Sequence, residues 1–202
     1  MSCHVSVLSP GRRPHPPHSH VQEELLVVLD GEAEILIPPS PNPDEARIER
    51  LVAGSFVYYP AYQYHTIRNT SDRPVTYLMF KWQGAPAEVK TPLPTTVADI
   101  GGRMAPVKAK PKSIRVLFES PTAYLGKLQV HVTDLQPGGG YAPHSDAHDV
   151  AIIVFSGTVE TLGKTVGAGG SIYYAAGEPH GMVNCGTEPA RYLVFEFHRP
   201  VG

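Results

Sequence analysis

Cysteine is almost missing from this chain of 202 residues. Cys3 and Cys185 are the only two, too few for a disulfide framework or a zinc ribbon, and both are read as unreactive thiols. Positive charge is also scarce. Lys and Arg number 17 against 19 Asp and Glu, for a net charge of −2. There is no long basic run, so nucleic acid is excluded as the main partner. No apolar stretch approaches a membrane span. Met1 to Gly11 lacks the basic start and apolar run of a signal peptide, so a soluble cytoplasmic protein is expected. Helical periodicity is the last absence. No run of ten or more residues repeats apolar side chains at i, i+3, i+4 and i+7 without a Pro or Gly interruption. Gly and Pro together make 40 of the 202 residues, high for a helical protein but below a disordered low-complexity chain.

What the chain does have is short apolar runs separated by turn residues. Leu25 to Leu29 is followed by Asp30-Gly31, then by Glu32 to Ile37. Asp-Gly between two β-prone runs signals a hairpin, because Gly accepts the positive φ of a tight turn. Further strands are predicted at 47–52, 55–59, 64–68 and 75–82. In the second half they fall at 114–118, 123–133, 150–155, 158–162, 170–174 and 190–198. Many short strands with regular turns imply an all-β sandwich or barrel. Pro38 to Asp44 is a Pro-rich loop that no sheet interior accepts. Residues 83–113 are rich in Pro, Gly, Ala and Lys, and read as a connection in which 97–100 adds a short turn or strand. The expected domains are therefore 1–82 and 114–202.

The halves repeat each other. Asn69 to Trp82 (NTSDRPVTYLMFKW) aligns without a gap on Asn184 to Phe197 (NCGTEPARYLVFEF). Gly54 to His65 spans the same distance as Gly169 to His180, and His18 to Gly31 the same as His144 to Gly157. A duplicated β-domain follows.

Ten histidines are the compositional oddity. His18 and His20, two apart on a strand, share a face about 6.6 Å apart along the chain. Glu24 lies about 13 Å further along a straight strand, so it joins them only if the chain turns back. His65 comes from a distant strand, as a barrel interior would require. Three neutral imidazoles and a carboxylate suit a divalent first-row ion such as Fe, Mn, Ni, Cu or Zn, with positions left open for water or substrate. His15 reads as solvated. His4, His131 and His198 read as hydrogen-bonded strand residues.

The order His18-x-His20-x3-Glu24-x6-Gly31 resembles the first motif of the cupin superfamily. Gly54-x5-Pro60-x4-His65-x3-Asn69 resembles the second, with Tyr62 where the pattern has Gly. The resemblance implies a jelly-roll, double-stranded β-helix barrel in each half, a bicupin, with His18, His20, Glu24 and His65 as metal ligands. The second half keeps the scaffold and changes the ligands. Gly169, Gly177, His180 and Asn184 fit the second motif. The first reads His144-Ser-Asp146-Ala-His148-Asp149-Val150. In strict register Asp146 replaces the second histidine and Val150 the glutamate, whereas a one-residue slip puts Asp149 in the carboxylate position. His144 and His180 remain as a pair, with Asp146, His148 and Asp149 as helpers.

Tyr58, Tyr59, Tyr62 and Tyr64 gather before His65 and read as barrel packing or as pocket residues donating to a substrate; Tyr58, Tyr62 and Tyr64 are the pocket candidates. Glu24 could also serve as a base. The resemblance implies a metal-dependent enzyme, with dioxygenase or isomerase-like chemistry on a small oxygenated compound. The rival is a cupin that binds or senses a small molecule without turning it over. Edge strands would allow a homo-oligomer.

Overall fold

The computed structural model describes Met1 to Pro200. In the first half the strands are β1 (Ser2–Leu8), β2 (Glu23–Asp30), β3 (Glu32–Ile37), β4 (Arg47–Val52), β5 (Ser55–Tyr59), β6 (Thr66–Arg68), β7 (Val75–Trp82) and β8 (Thr96–Asp99). In the second they are β9 (Lys112–Ser120), β10 (Lys127–Leu135), β11 (Gly140–His144), β12 (Asp149–Ser156), β13 (Thr158–Thr161), β14 (Lys164–Gly167), β15 (Ser171–Tyr174), β16 (His180–Asn184) and β17 (Ala190–His198). A single 3-10 turn, Pro43–Glu45, interrupts the Pro-rich loop. Among the described residues no helix is long and apolar enough to cross a membrane. The chain separates into two compact units, 1–99 and 100–202.

Each unit is a pair of antiparallel sheets. Unit 1 joins β1-β7-β2-β5-β8 in one sheet and β4-β3-β6 in the other. Unit 2 joins β15-β12-β17-β10-β9 and β11-β16-β13-β14. Leu26, Val28, Ile35, Leu51, Val57, Tyr59, Ile67 and Val75 fill the first interior. Val150, Ile152, Val154, Val159, Tyr174, Met182 and Val194 fill the second. Strand β2 is buried at every residue but its last, which is why its sequence reads as a continuous apolar run rather than an alternation.

The repeat has a structural basis at two positions. Gly31 and Gly157 take φ of 79° and 73° at the hairpin turns. A Cβ there would lie 2.6 Å from the Pro74 carbonyl oxygen and 2.5 Å from the Ala190 Cα, respectively, so the two turns press on the starts of β7 and β17. Asn69 and Asn184 are each 1% exposed and close equivalent loops. Asn69 Nδ2 donates to Leu8 O (3.0 Å) and Arg73 O (2.7 Å), and its Oδ1 accepts from Ser71 N (2.9 Å). Asn184 repeats this with Leu135 O (3.0 Å), Glu188 O (2.9 Å) and Gly186 N (2.9 Å). Alanine at either position leaves buried backbone groups without partners. It should cost about 1–3 kcal/mol, read from the urea midpoint; an unchanged midpoint would show that the loop re-pairs elsewhere.

Several expectations need correction. Strands β1, β11, β14 and β16 were not predicted; they are short or largely exposed and held by ladder hydrogen bonds rather than by an apolar pattern. The short strand expected near 97–100 within the segment 83–113 is present as β8. Thr96–Asp99 pairs with β5, Ser55 Oγ donates to Asp99 Oδ2 (3.0 Å), and β9 begins at Lys112. The division between units therefore falls at 99/100, because β8 adds to the open side of β5. The strand predicted from Tyr64 starts at Thr66; His65 instead forms an isolated bridge with His18.

Candidate metal centre

The two backbones of His18 and His65 exchange hydrogen bonds (3.2 and 3.0 Å), which fixes their rings side by side, 4.8 Å apart between centroids. The His20 ring lies 5.3 Å from that of His18 and 5.1 Å from that of His65. The chain does turn back after His20, so Glu24 at the start of β2 reaches the same point. Its Oε2 is 3.2 Å from His20 Nε2 and 3.6 Å from His65 Nε2. All four predicted ligands thus converge.

Tautomers follow from the outer contacts. His20 Nδ1 lies 2.9 Å from Gln22 O, and His65 Nδ1 lies 2.9 Å from Gln63 O. A carbonyl can only accept, so each Nδ1 carries the proton and each Nε2 keeps its lone pair, as metal-binding histidines do. His18 Nδ1 is buried without a hydrogen bond. Three imidazoles with available lone pairs and one carboxylate fit a divalent ion.

Burial pushes the Glu24 carboxyl up, but the neighbouring His20 and His65 and the charge of Lys81 outweigh it and hold it well below the usual range. It is an ionised acceptor. Burial first, then the neighbouring His15, His65, His20 and Lys81, lowers His18 to about 4. In the unfolded chain the same imidazole titrates near 6.5. Between those values the unfolded state binds the extra proton, so the metal-free protein should lose stability as pH falls from about 6.5 to about 4. Melting temperatures of metal-free wild type and His18→Gln across this range test it; identical slopes would refute it. The Glu24 contribution is lost only at lower pH still.

The sequence did not reveal Lys81 here, and it did not single out Tyr59 from the neighbouring tyrosines. Lys81 pairs with Glu24 in the β2/β7 register, and its Nζ is 3.0 Å from Glu24 Oε2 and 3.3 Å from His20 Nε2. Tyr59, also in register with Glu24, stacks on His65 at 4.2 Å and 16°. Both border a cavity of about 250 Å³. Strand alternation could have found them once the register was known. The same alternation corrects the tyrosine expectation. Tyr58 points the other way and donates to Glu23 Oε1 (2.9 Å). Tyr62 is 66% exposed and takes φ 63°, and Tyr64 does not border the cavity. Tyr62 occupies the position of Gly177, where φ is 83°. Its N–H donates to His20 O (2.8 Å), as Gly177 N–H does to Asp146 O (2.7 Å), so the turn survives the missing glycine.

In unit 2 the five predicted residues separate. His144, Asp146 and His180 gather, with Asp146 Oδ2 3.6 and 3.5 Å from the two Nε2 atoms, and Tyr174 stacks on His180 at 3.9 Å. Val150, in register with Glu196, confirms the strict alignment: no carboxylate stands where Glu24 does. Asp149 instead accepts from Ala176 N (2.9 Å), and His148 joins Glu196 and His198. His131 and His198 lie on β10 and β17 as expected, His198 hydrogen-bonded to Glu196 at 3.1 Å and His131 Nδ1 3.5 Å from the same carboxylate.

Against this geometry the comparisons are decisive for family. The Cupin domain family model matches residues 4–81 and 131–196. The chain belongs to the cupin family. Its two cupin segments coincide with the two sheet pairs. No curated protein matches it at the sequence level. Among solved structures, a Pseudomonas aeruginosa protein named as glyoxylate-induced is similar with a TM-score of 0.75 and 15% identity, over 99% of this cupin and 76% of that chain. AerE of Microcystis aeruginosa gives 0.67 and 15%, over 96% and 86%. Oxalate decarboxylase OxdC of Bacillus subtilis gives 0.67 and 13%, over 99% and 69%. At these identities the likeness shows the cupin fold alone.

Proposed function

We propose that this cupin is a metal-dependent enzyme acting on a small oxygenated organic acid in unit 1, with His18, His20, Glu24 and His65 as ligands. The observation that carries the reading is the meeting of three imidazoles and the Glu24 carboxylate beside a lysine ammonium. Bound there, the ion supplies Lewis-acid polarisation of substrate oxygens and, if redox-active, electron transfer. The protein supplies the rest. Lys81 attracts an anionic group, while Met79, Tyr77 and Leu26 give the cavity apolar walls. A volume of about 250 Å³ lies below the roughly 300–1,000 Å³ of ordinary ligand pockets, which favours a substrate of few heavy atoms. Glu24 holds its proton weakly, so it serves better as a ligand than as a base.

Mn(II) centres are named for the oxalate decarboxylase of Bacillus subtilis, which makes Mn(II) the first ion to try, ahead of Fe, Ni, Cu and Zn. The test is elemental analysis followed by oxygen uptake and product analysis with hydroxy acids, dicarboxylates, diketones and catechols. Oxygen consumption supports a dioxygenase; turnover without it supports isomerase-like or decarboxylation chemistry. A metal-loaded protein that binds small acids but converts none refutes the enzyme reading. It would leave the second one, a binding or sensing cupin, which Lys81 favours because its ammonium can neutralise Glu24 and receive an anion without an ion present. A cytoplasmic location and edge-strand self-association belong to the same proposal; the mass of the purified protein in solution reads the latter.

A further inference from the structure

The two units differ most at one rung. In unit 1, Glu24 on β2 faces Lys81 on β7. In unit 2, Val150 on β12 faces Glu196 on β17. The carboxylate has crossed to the neighbouring strand. Two further changes accompany it: by the repeat alignment, His148 stands where unit 1 has Gln22, and His198 where it has Gln83. None of the three positions belongs to the repeated histidine motifs.

These residues meet. Glu196 and His198, two apart on β17, share a face, and His148 immediately precedes the paired strand β12. Glu196 Oε2 lies 3.1 Å from His198 Nε2 and 3.3 Å from His148 Nε2. The two imidazoles stack at 3.8 Å and 27°. His131 Nδ1 approaches the other oxygen, Oε1, at 3.5 Å. Yet His148 Nε2 and His131 Nδ1 are buried and make no hydrogen bond. Two nitrogens sit against one carboxylate but off the line of donation, an arrangement that suits a shared third atom better than the carboxylate itself.

We infer that unit 2 carries a metal site distinct from the motif positions, in which His148, Glu196 and His198 hold a borderline divalent cation of the zinc and cobalt class. Two imidazole nitrogens and one carboxylate oxygen suit such an ion and leave a position open. His131 stands outside the tripod, with its Nδ1 3.5 Å from Glu196 Oε1. Both Nε2 atoms, of His148 and of His198, lie at one oxygen of Glu196. Stacked at contact distance, the two rings could not both become cationic cheaply; one divalent ion satisfies both and neutralises Glu196.

The experiment is Co²⁺ titration of the full chain, followed by calorimetry and by the cobalt ligand-field absorption, in wild type, His65→Ala, His180→Ala, His148→Gln and His198→Ala. The expected result is one equivalent that survives His65→Ala and His180→Ala but weakens at least 100-fold in His148→Gln and in His198→Ala, with its absorption band lost. Circular dichroism checks each fold. Should His198→Ala not fold, His198→Asn replaces it, and the His148→Gln arm decides alone. Equal cobalt binding in wild type and both variants overturns the inference. So does loss of the same equivalent in His180→Ala, which would place the ion on the His144–Asp146–His180 group. Because unit 1 is read separately through His65→Ala, failure there leaves this test intact.

Discussion

His65→Ala should strip the ion from unit 1, weakening its binding by 100-fold or more, while His144→Ala leaves that ion in place. His65 is held from two sides: Nδ1 donates to Gln63 O at 2.9 Å, and the ring stacks on Tyr59. Its backbone is tied to His18. Losing an outer partner of a ligand costs roughly 10–100-fold in metal affinity, and losing the ligand itself exceeds that. Metal content after dialysis, with calorimetry, measures it. If His144→Ala empties the site and His65→Ala does not, the assignment of the halves is reversed. Lys81→Met gives a complementary result: it removes the ammonium that competes for Glu24, so metal binding should tighten while binding of a small carboxylate weakens.

Arg191→Leu should destabilise unit 2 by about 3–5 kcal/mol, the usual cost of removing one partner from a buried ion pair. Arg191 and Asp134 are 7% and 8% exposed. Their contact is bidentate, Nε to Oδ1 at 2.7 Å and Nη2 to Oδ2 at 3.0 Å. Nη1 also donates to Gly101 O (3.1 Å) and Gly102 O (3.0 Å), so one guanidinium pins the first residues of the unit to its central sheet. Leucine would leave a buried carboxylate without its cation and release that segment. The double variant with Asp134→Leu should recover part of the loss, because it removes the stranded charge. Urea unfolding provides the measurement, and a change under 1 kcal/mol for Arg191→Leu would refute this account.

The repeat explains why so much was legible in advance. Gly31 and Gly157 are required by positive φ and by close backbone approach, and Asn69 and Asn184 by loop closure, so they persist at fixed spacing in both halves. The four residues proposed as unit 1 ligands were legible for the same reason. Lys81 was not, and Tyr59 could not be told from the neighbouring tyrosines, because their direction depends on which residue of each strand lies opposite Glu24, and a shift of one residue would turn both away. Tyr58 shows the cost of that ambiguity: it is adjacent in sequence and faces the opposite side.

The chain alone therefore determined the all-β class, the duplication, the family resemblance and the convergence of His18, His20, Glu24 and His65, since these rest on turn residues and motif spacing. Only the tertiary structure decided that β8 joins unit 1, that Lys81 stands beside Glu24, and that His148, Glu196 and His198 form a cluster of their own. The reason is physical. Spacing along one strand fixes which side chains share a face, but the partner across the ladder is set by register between segments distant in sequence, and register is settled only when both interiors are packed.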